Sequence, residues 1–157
     1  MTSPAFAATS TASHPRTPTL VPDAPRPQRG VIDTSVVIDL GRLEAAQLPM
    51  ELAVSAITMA ELAAGPHATD DADERARRQD RLQRAEAAFD PLPFDGEAAR
   101  AYGRIYAAEV ARGRKARGTR ALDLLIAATA CAAGLPIYTR NPDDFQSLEE
   151  LIEVVAV

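Results

Sequence analysis

Residues 30–40 read Gly-Val-Ile-Asp-Thr-Ser-Val-Val-Ile-Asp-Leu. The apolar start, 30–32, predicts a short buried strand, and it stops abruptly on the polar group Asp33-Thr34-Ser35. The run 36–43 then reads as a short helix. A strand that ends on an acid and passes directly into a helix is how an α/β layered fold opens. In such folds ligands gather at the carboxyl ends of the strands.

The same alternation continues down the chain. A second strand is predicted over 52–55, then a helix capped by Thr58, with Glu61 three residues on as its capping-box partner. Residues 73–89 form a charged helix with Leu82, Ala85, Ala88 and Phe89 on its apolar side. After an extended 91–94, Asp95 caps a helix to about residue 112, whose Ala98, Tyr102, Ile105, Tyr106 and Val110 fall at core-facing spacing. Thr119 or Arg120 opens a helix that is apolar nearly all round and closes at Gly134. Strands follow at 136–139 and 152–157. The order implies an α/β fold with a mainly parallel sheet and no internal repeat. Residues 1–29, rich in Ala, Thr, Ser and Pro, read as a disordered tail ahead of a single domain over 30–157. They lack the basic start and sustained apolar stretch of a secretory signal.

With 157 residues, 46% hydrophobic but only 4% aromatic and no tryptophan, the chain must build an aliphatic core. Nothing approaches the ~20 apolar residues of a membrane span. One cysteine, Cys131, permits no internal disulfide and reads as a small core residue, so a reducing, cytoplasmic setting is expected. The net charge is −5, yet from 112 to 120 the sequence is RGRKARGTR, five basic residues and no acid. Segregated charge of this kind matters more for nucleic-acid binding than the sum. A second cluster, Arg75, Arg77, Arg78, Arg81 and Arg84, is interleaved with acids and reads as an exposed helix face.

Four acidic positions fall at strand or helix ends: Asp33, Glu61, Asp123 and the pair Asp143-Asp144. Taken singly, each of the others has a purely structural reading, as a turn, a capping box or a helix start. Asp123 resists one, because it stands in Ala-Leu-Asp-Leu-Leu-Ile-Ala-Ala, where an unpaired charge is costly. Clustered carboxylates repel one another unless a cation sits among them. A hard dication such as Mg²⁺ prefers oxygen ligands and retains waters suited to phosphodiester hydrolysis. There is no histidine pair for metal-free RNA cleavage, since His14 lies in the tail and His67 beside Gly65 and Pro66.

Four blocks in register, VIDTSVVIDL at 31–40, TMAEL at 58–62, ALDLLIAATA at 121–130 and YTRNPDDF at 138–145, resemble the PIN-domain ribonuclease toxins of the VapC type over roughly residues 30–150. The resemblance implies a three-layer α/β/α fold and an acidic pocket for Mg²⁺, with Mn²⁺ as substitute. It implies Asp33 and Asp123 as the metal ligands, with Glu61 and a last acid completing the catalytic set. Asn141 stands where many members carry an aspartate, and Asp144 is the alternative contributor. Thr34 or Ser35 would orient Asp33 or a metal-bound water, and Thr139 likewise. The resemblance further implies cleavage of structured RNA, commonly tRNA or ribosomal RNA, silencing by a VapB-type antitoxin, and a homodimer. Arg112, Arg114, Lys115, Arg117 and Arg120 would then lie at the pocket's rim on RNA phosphates, the other reading being a solvated loop.

Three other functions compete. A different Mg²⁺-dependent α/β phosphohydrolase is one, although a haloacid-dehalogenase phosphatase would need an acid where Ser35 stands. A catalytically inactive PIN-like interaction module is the second. A phospho-receiver domain, the third, would want a late lysine, and the only lysine, Lys115, precedes Asp123.

Overall fold

A computed structural model describes residues 27–157. Four parallel strands form one sheet: β1 (Arg29–Ile32), β2 (Glu51–Ala53), β3 (Ile137–Thr139) and β4 (Val154–Ala156), in the order β2-β1-β3-β4. Successive side chains of a strand point to opposite faces, and β1 shows the consequence. Val31 enters one apolar cluster with Ala101, Ile105, Leu124 and Ile137, while Ile32 enters another with Val36, Val54, Leu62, Leu82 and Tyr138. Helices α4 (Gly96–Ala111) and α5 (Thr119–Ala132) supply the first cluster. Helices α1 (Thr34–Asp39), α2 (Ala56–Ala64) and α3 (Ala72–Ala88) supply the second. The result is the three-layer α/β/α arrangement with a parallel central sheet.

The chain leaves β1 toward β2 on one side and returns to β3 on the other, so the winding direction reverses between β1 and β3. That reversal opens a crevice at the carboxyl ends of these two strands, where Asp33 and Thr139 sit.

Several local expectations shift. β1 takes in Arg29, one residue earlier than expected, and Arg29 pairs with Glu51 across to β2 at 2.9 Å; the expected disorder of 1–26 falls outside the described residues. The cap of α2 is Ser55, not Thr58: its Oγ accepts from the Thr58 amide at 3.0 Å. Thr58 is buried inside the first turn with its hydroxyl on Ser55, which removes Glu61 from any capping box. The buried stripe of α4 is rotated by about one residue. Ala98, Ala101, Ile105 and Glu109 face inward, whereas Tyr106 and Val110 are 46% and 55% exposed. Ala88 is exposed and Cys131 only half-buried. No helix among the described residues is long and apolar enough to cross a membrane.

Candidate active site

Asp33 is the first residue past β1 and is buried. It serves as the N-cap of α1, so its structural and functional readings coexist. Its Oδ1 accepts from the Val36 amide at 3.0 Å and the Ser35 hydroxyl at 2.6 Å, and its Oδ2 accepts from the Thr139 hydroxyl at 2.5 Å. Thr139 in turn accepts from the Asn141 amide at 2.9 Å. An ionised carboxylate offers about four acceptor positions. Three are occupied here, which locks the group and leaves capacity for one further ligand.

Glu61 lies in the second turn of α2, and Thr34 donates its hydroxyl to Glu61 Oε2. Burial pushes the Glu61 carboxyl above its ordinary range, the Thr34 hydrogen bond opposes that rise, and the charge of Asp33 adds to it. Asp123 is the fifth residue of α5, half-buried where the helix approaches the crevice. Its carboxyl is pushed up to about 6, first by burial, then by Asp144, Glu61 and Asp33, with Arg120 pulling the other way. The charges of the other three expected acids therefore all reach Asp123. Asp144 lies in a 3-10 turn, Pro142–Asp144, just after β3, while Asn141 is exposed. Asp144, with Glu61 and Asp33, is one of the three acids whose charge reaches Asp123.

The basic stretch is divided by the fold. Lys115 and Arg117 are exposed. Arg112 and Arg114 donate to the backbone carbonyls of Gln146 and Asp143, at 3.1 and 3.3 Å. Arg120 is not a free rim cation. Its guanidinium donates to Glu109 Oε2 from Nε at 2.7 Å and from Nη2 at 2.5 Å. Glu109 is fully buried and also accepts from the Ser147 hydroxyl. Neither Glu109 nor Ser147 stood out in the sequence. The available signal was a carboxylate at helical spacing from Ala98, Ala101 and Ile105, the same anomaly that Asp123 shows in α5.

An open groove of about 690 Å³ lies elsewhere, between α1 and α3, lined by Ile38, Arg42, Arg81 and Arg84 among others. Among the described residues, no three His, Cys, Asp or Glu side chains converge closely enough to enclose a metal ion unaided. The donor chemistry nevertheless suits a hard dication, which takes one or two carboxylates and keeps several waters. It consists of carboxylate oxygens alone, with spare capacity on Asp33 and a mutual repulsion that a cation would relieve.

The PIN domain family matches residues 30–151, from the first strand to beyond the turn bearing Asp144. This chain belongs to that family. The PIN domain is similar to Ribonuclease VapC5 of Mycobacterium tuberculosis (strain ATCC 25618 / H37Rv), 38% identical over 136 residues, which cover 83% of this chain and 97% of that protein. It is 31% identical to Ribonuclease VapC of Rickettsia bellii (strain RML369-C) over 131 residues, 81% of this chain and 95% of the relative. Among solved structures, the PIN domain superposes on a chain of VapBC-5 from Mycobacterium tuberculosis, a member of the VapBC family of toxin–antitoxin systems. The TM-score is 0.73 at 37% identity, over 83% of this chain and 100% of that one. FitAcB from Neisseria gonorrhoeae aligns at a TM-score of 0.59 and 26% identity, over 79% and 94% of the two chains.

Proposed function

We propose that this PIN domain is a metal-dependent endoribonuclease, the toxin of a VapBC-type toxin–antitoxin pair. The observation that carries the reading is Asp123: a carboxylate placed half-buried within the field of three other acids, at the crevice where the sheet reverses. A folding protein gains nothing from such repulsion, and sites that shift pKa in this way are disproportionately functional. The similarity to proteins named ribonucleases supports the same chemistry.

Asp33 and Asp123 would hold the cation, Mg²⁺ with Mn²⁺ as substitute, with Glu61 and Asp144 alongside. Bound there, a divalent ion supplies an activated water and neutralises charge on the leaving oxygen. The chain's own groups do the rest. Ser35, Val36 and Thr139 fix Asp33 and leave its carboxylate one acceptor position for a further ligand, and Thr34 holds Glu61 by its hydroxyl. Lys115 and Arg117 take RNA phosphates at the rim, positioning the substrate without reading its sequence. Structured RNA, tRNA or ribosomal RNA, is the substrate class. The partner is a VapB-type antitoxin, in keeping with the toxin–antitoxin systems named among the structural neighbours. A second copy is the other partner, with Tyr106 and Val110 of α4 as apolar side chains it could cover.

Incubating the antitoxin-free protein with total RNA and Mg²⁺ or Mn²⁺, with and without EDTA, tests the proposal. Cleavage that EDTA stops and Asp123→Asn abolishes is the expected result. Intact RNA in both metals, from folded protein, would instead identify a catalytically silent PIN module.

A further inference from the structure

Side chains from one stretch of chain converge on the turn that carries Asp144. The end of α4, the basic loop and the start of α5 each send a side chain to the segment 142–148. Arg114 bonds the carbonyl of Asp143, Arg112 that of Gln146, Glu109 takes the Ser147 hydroxyl, and Arg120 Nη1 stands 3.7 Å from Asp144 Oδ1. At the centre is a carboxylate with no solvent exposure and an arginine whose side chain is 18% exposed. A fully buried carboxylate is retained only with its partners complete. Here those partners are two: Arg120, which continues to Asp144, and Ser147, which lies three residues beyond it.

From this we infer that Arg120 is a positioning residue and not an RNA contact: anchored on Glu109 and Ser147, it sets where the Asp144 carboxylate stands relative to Asp123. The geometry leaves little alternative use for the guanidinium. Two of its nitrogens are committed to Glu109 and the third faces Asp144. A phosphate contact would require it to abandon a buried anion. A planar fork that grips one carboxylate while presenting its far nitrogen to another is a task that lysine, a single point charge, cannot perform. Residues that orient a site's acids from behind typically matter by about 10- to 100-fold.

The inference rests on the nuclease reading for its kinetic consequence but not for its structural one, so two measurements separate them. In the first, hydrogen exchange of metal-free, full-length protein is followed at the amides of Asp144, Phe145 and Leu148, which bond within the turn. Arg120→Lys and the milder Ser147→Ala should both speed exchange there while β1 and β3 remain protected. Unchanged exchange in both variants overturns the inference, whether or not the wild type cuts RNA. In the second, cleavage is measured over a salt series. Arg120→Lys should lower kcat by about 10- to 100-fold, with KM and the salt dependence of binding kept. Combined with Asp144→Asn, it should add little to the loss from Asp144→Asn alone. A raised KM and a changed salt response at unchanged kcat would make Arg120 a phosphate contact. Unchanged kcat and KM with reduced stability would make it structural only. If the wild type itself leaves RNA intact, the nuclease reading fails and the exchange data alone decide the inference.

Discussion

Asn in place of Asp123 should make the metal-free protein more stable while removing its activity. The carboxyl of Asp123 is raised from its ordinary 3.8 to about 6. Taken in full, that rise corresponds to about 3 kcal/mol disfavouring the charged form in the folded state. The side chain is only half-buried, and solvent screens much of the interaction, so about 1 kcal/mol is the expected effect. The sign follows from linkage. The folded pKa lies above the unfolded one, so the folded protein keeps a proton that the unfolded chain releases. This contribution to stability is present in full below 3.8 and lost as pH rises to about 6. Asn cannot ionise and escapes the loss. In EDTA at about pH 7.5, Asp123→Asn should therefore melt roughly 2–4 °C above the wild type, and the difference should shrink toward about pH 5. Saturating Mg²⁺ should stabilise the wild type more than the variant, because binding to the folded state alone adds stability. Thermal denaturation of both proteins, followed by circular dichroism in these three conditions, measures this. A variant less stable than the wild type in EDTA at the higher pH would refute the argument that burial and the neighbouring acids disfavour the charged form of Asp123.

Thr139→Val removes the hydroxyl that donates to Asp33 Oδ2 and leaves a buried acceptor short of a partner. Urea denaturation should show a loss of about 1–3 kcal/mol. Arg120→Met alone should cost about 3–5 kcal/mol by stranding the Glu109 charge. Adding Glu109→Leu should recover much of that loss in the same assay, since the buried charge is then gone. Gly30→Ala would place a Cβ 2.5 Å from the Tyr138 ring and 3.2 Å from Pro49. Overpacking of this kind should cost about 1–3 kcal/mol, read as a lowered denaturation midpoint.

Much of the architecture was legible from residue order. Short apolar runs closing on Asp33 and Thr139, separated by amphipathic helices, specify alternating strands and helices and hence a parallel sheet. Asp123 was conspicuous because α5 is otherwise apolar, and Asp95 announced the start of α4, where its Oδ1 accepts from the Glu97 and Ala98 amides at 3.0 Å. These features are local: periodicity and capping act within a few residues, so the chain displays them before it folds.

Helix phase and the pairing of distant groups required the fold. Tyrosine and valine are tolerated at a surface, so α4 could place Tyr106 and Val110 outward and still bury Ala101 and Ile105; in that phase Glu109 faces inward and meets Arg120 and Ser147. Ser55 and Thr58 are both competent caps, and Ser55 prevails because it stands where the chain leaves β2. The contacts that make the site join residues 27 and 106 positions apart, Thr34 with Glu61 and Thr139 with Asp33. By itself the sequence determined which residues carry charge at element ends. Only the strand order β2-β1-β3-β4 decided that those ends meet at one crevice, because neighbours in a sheet are chosen by which faces can be covered from both sides and not by proximity in the chain.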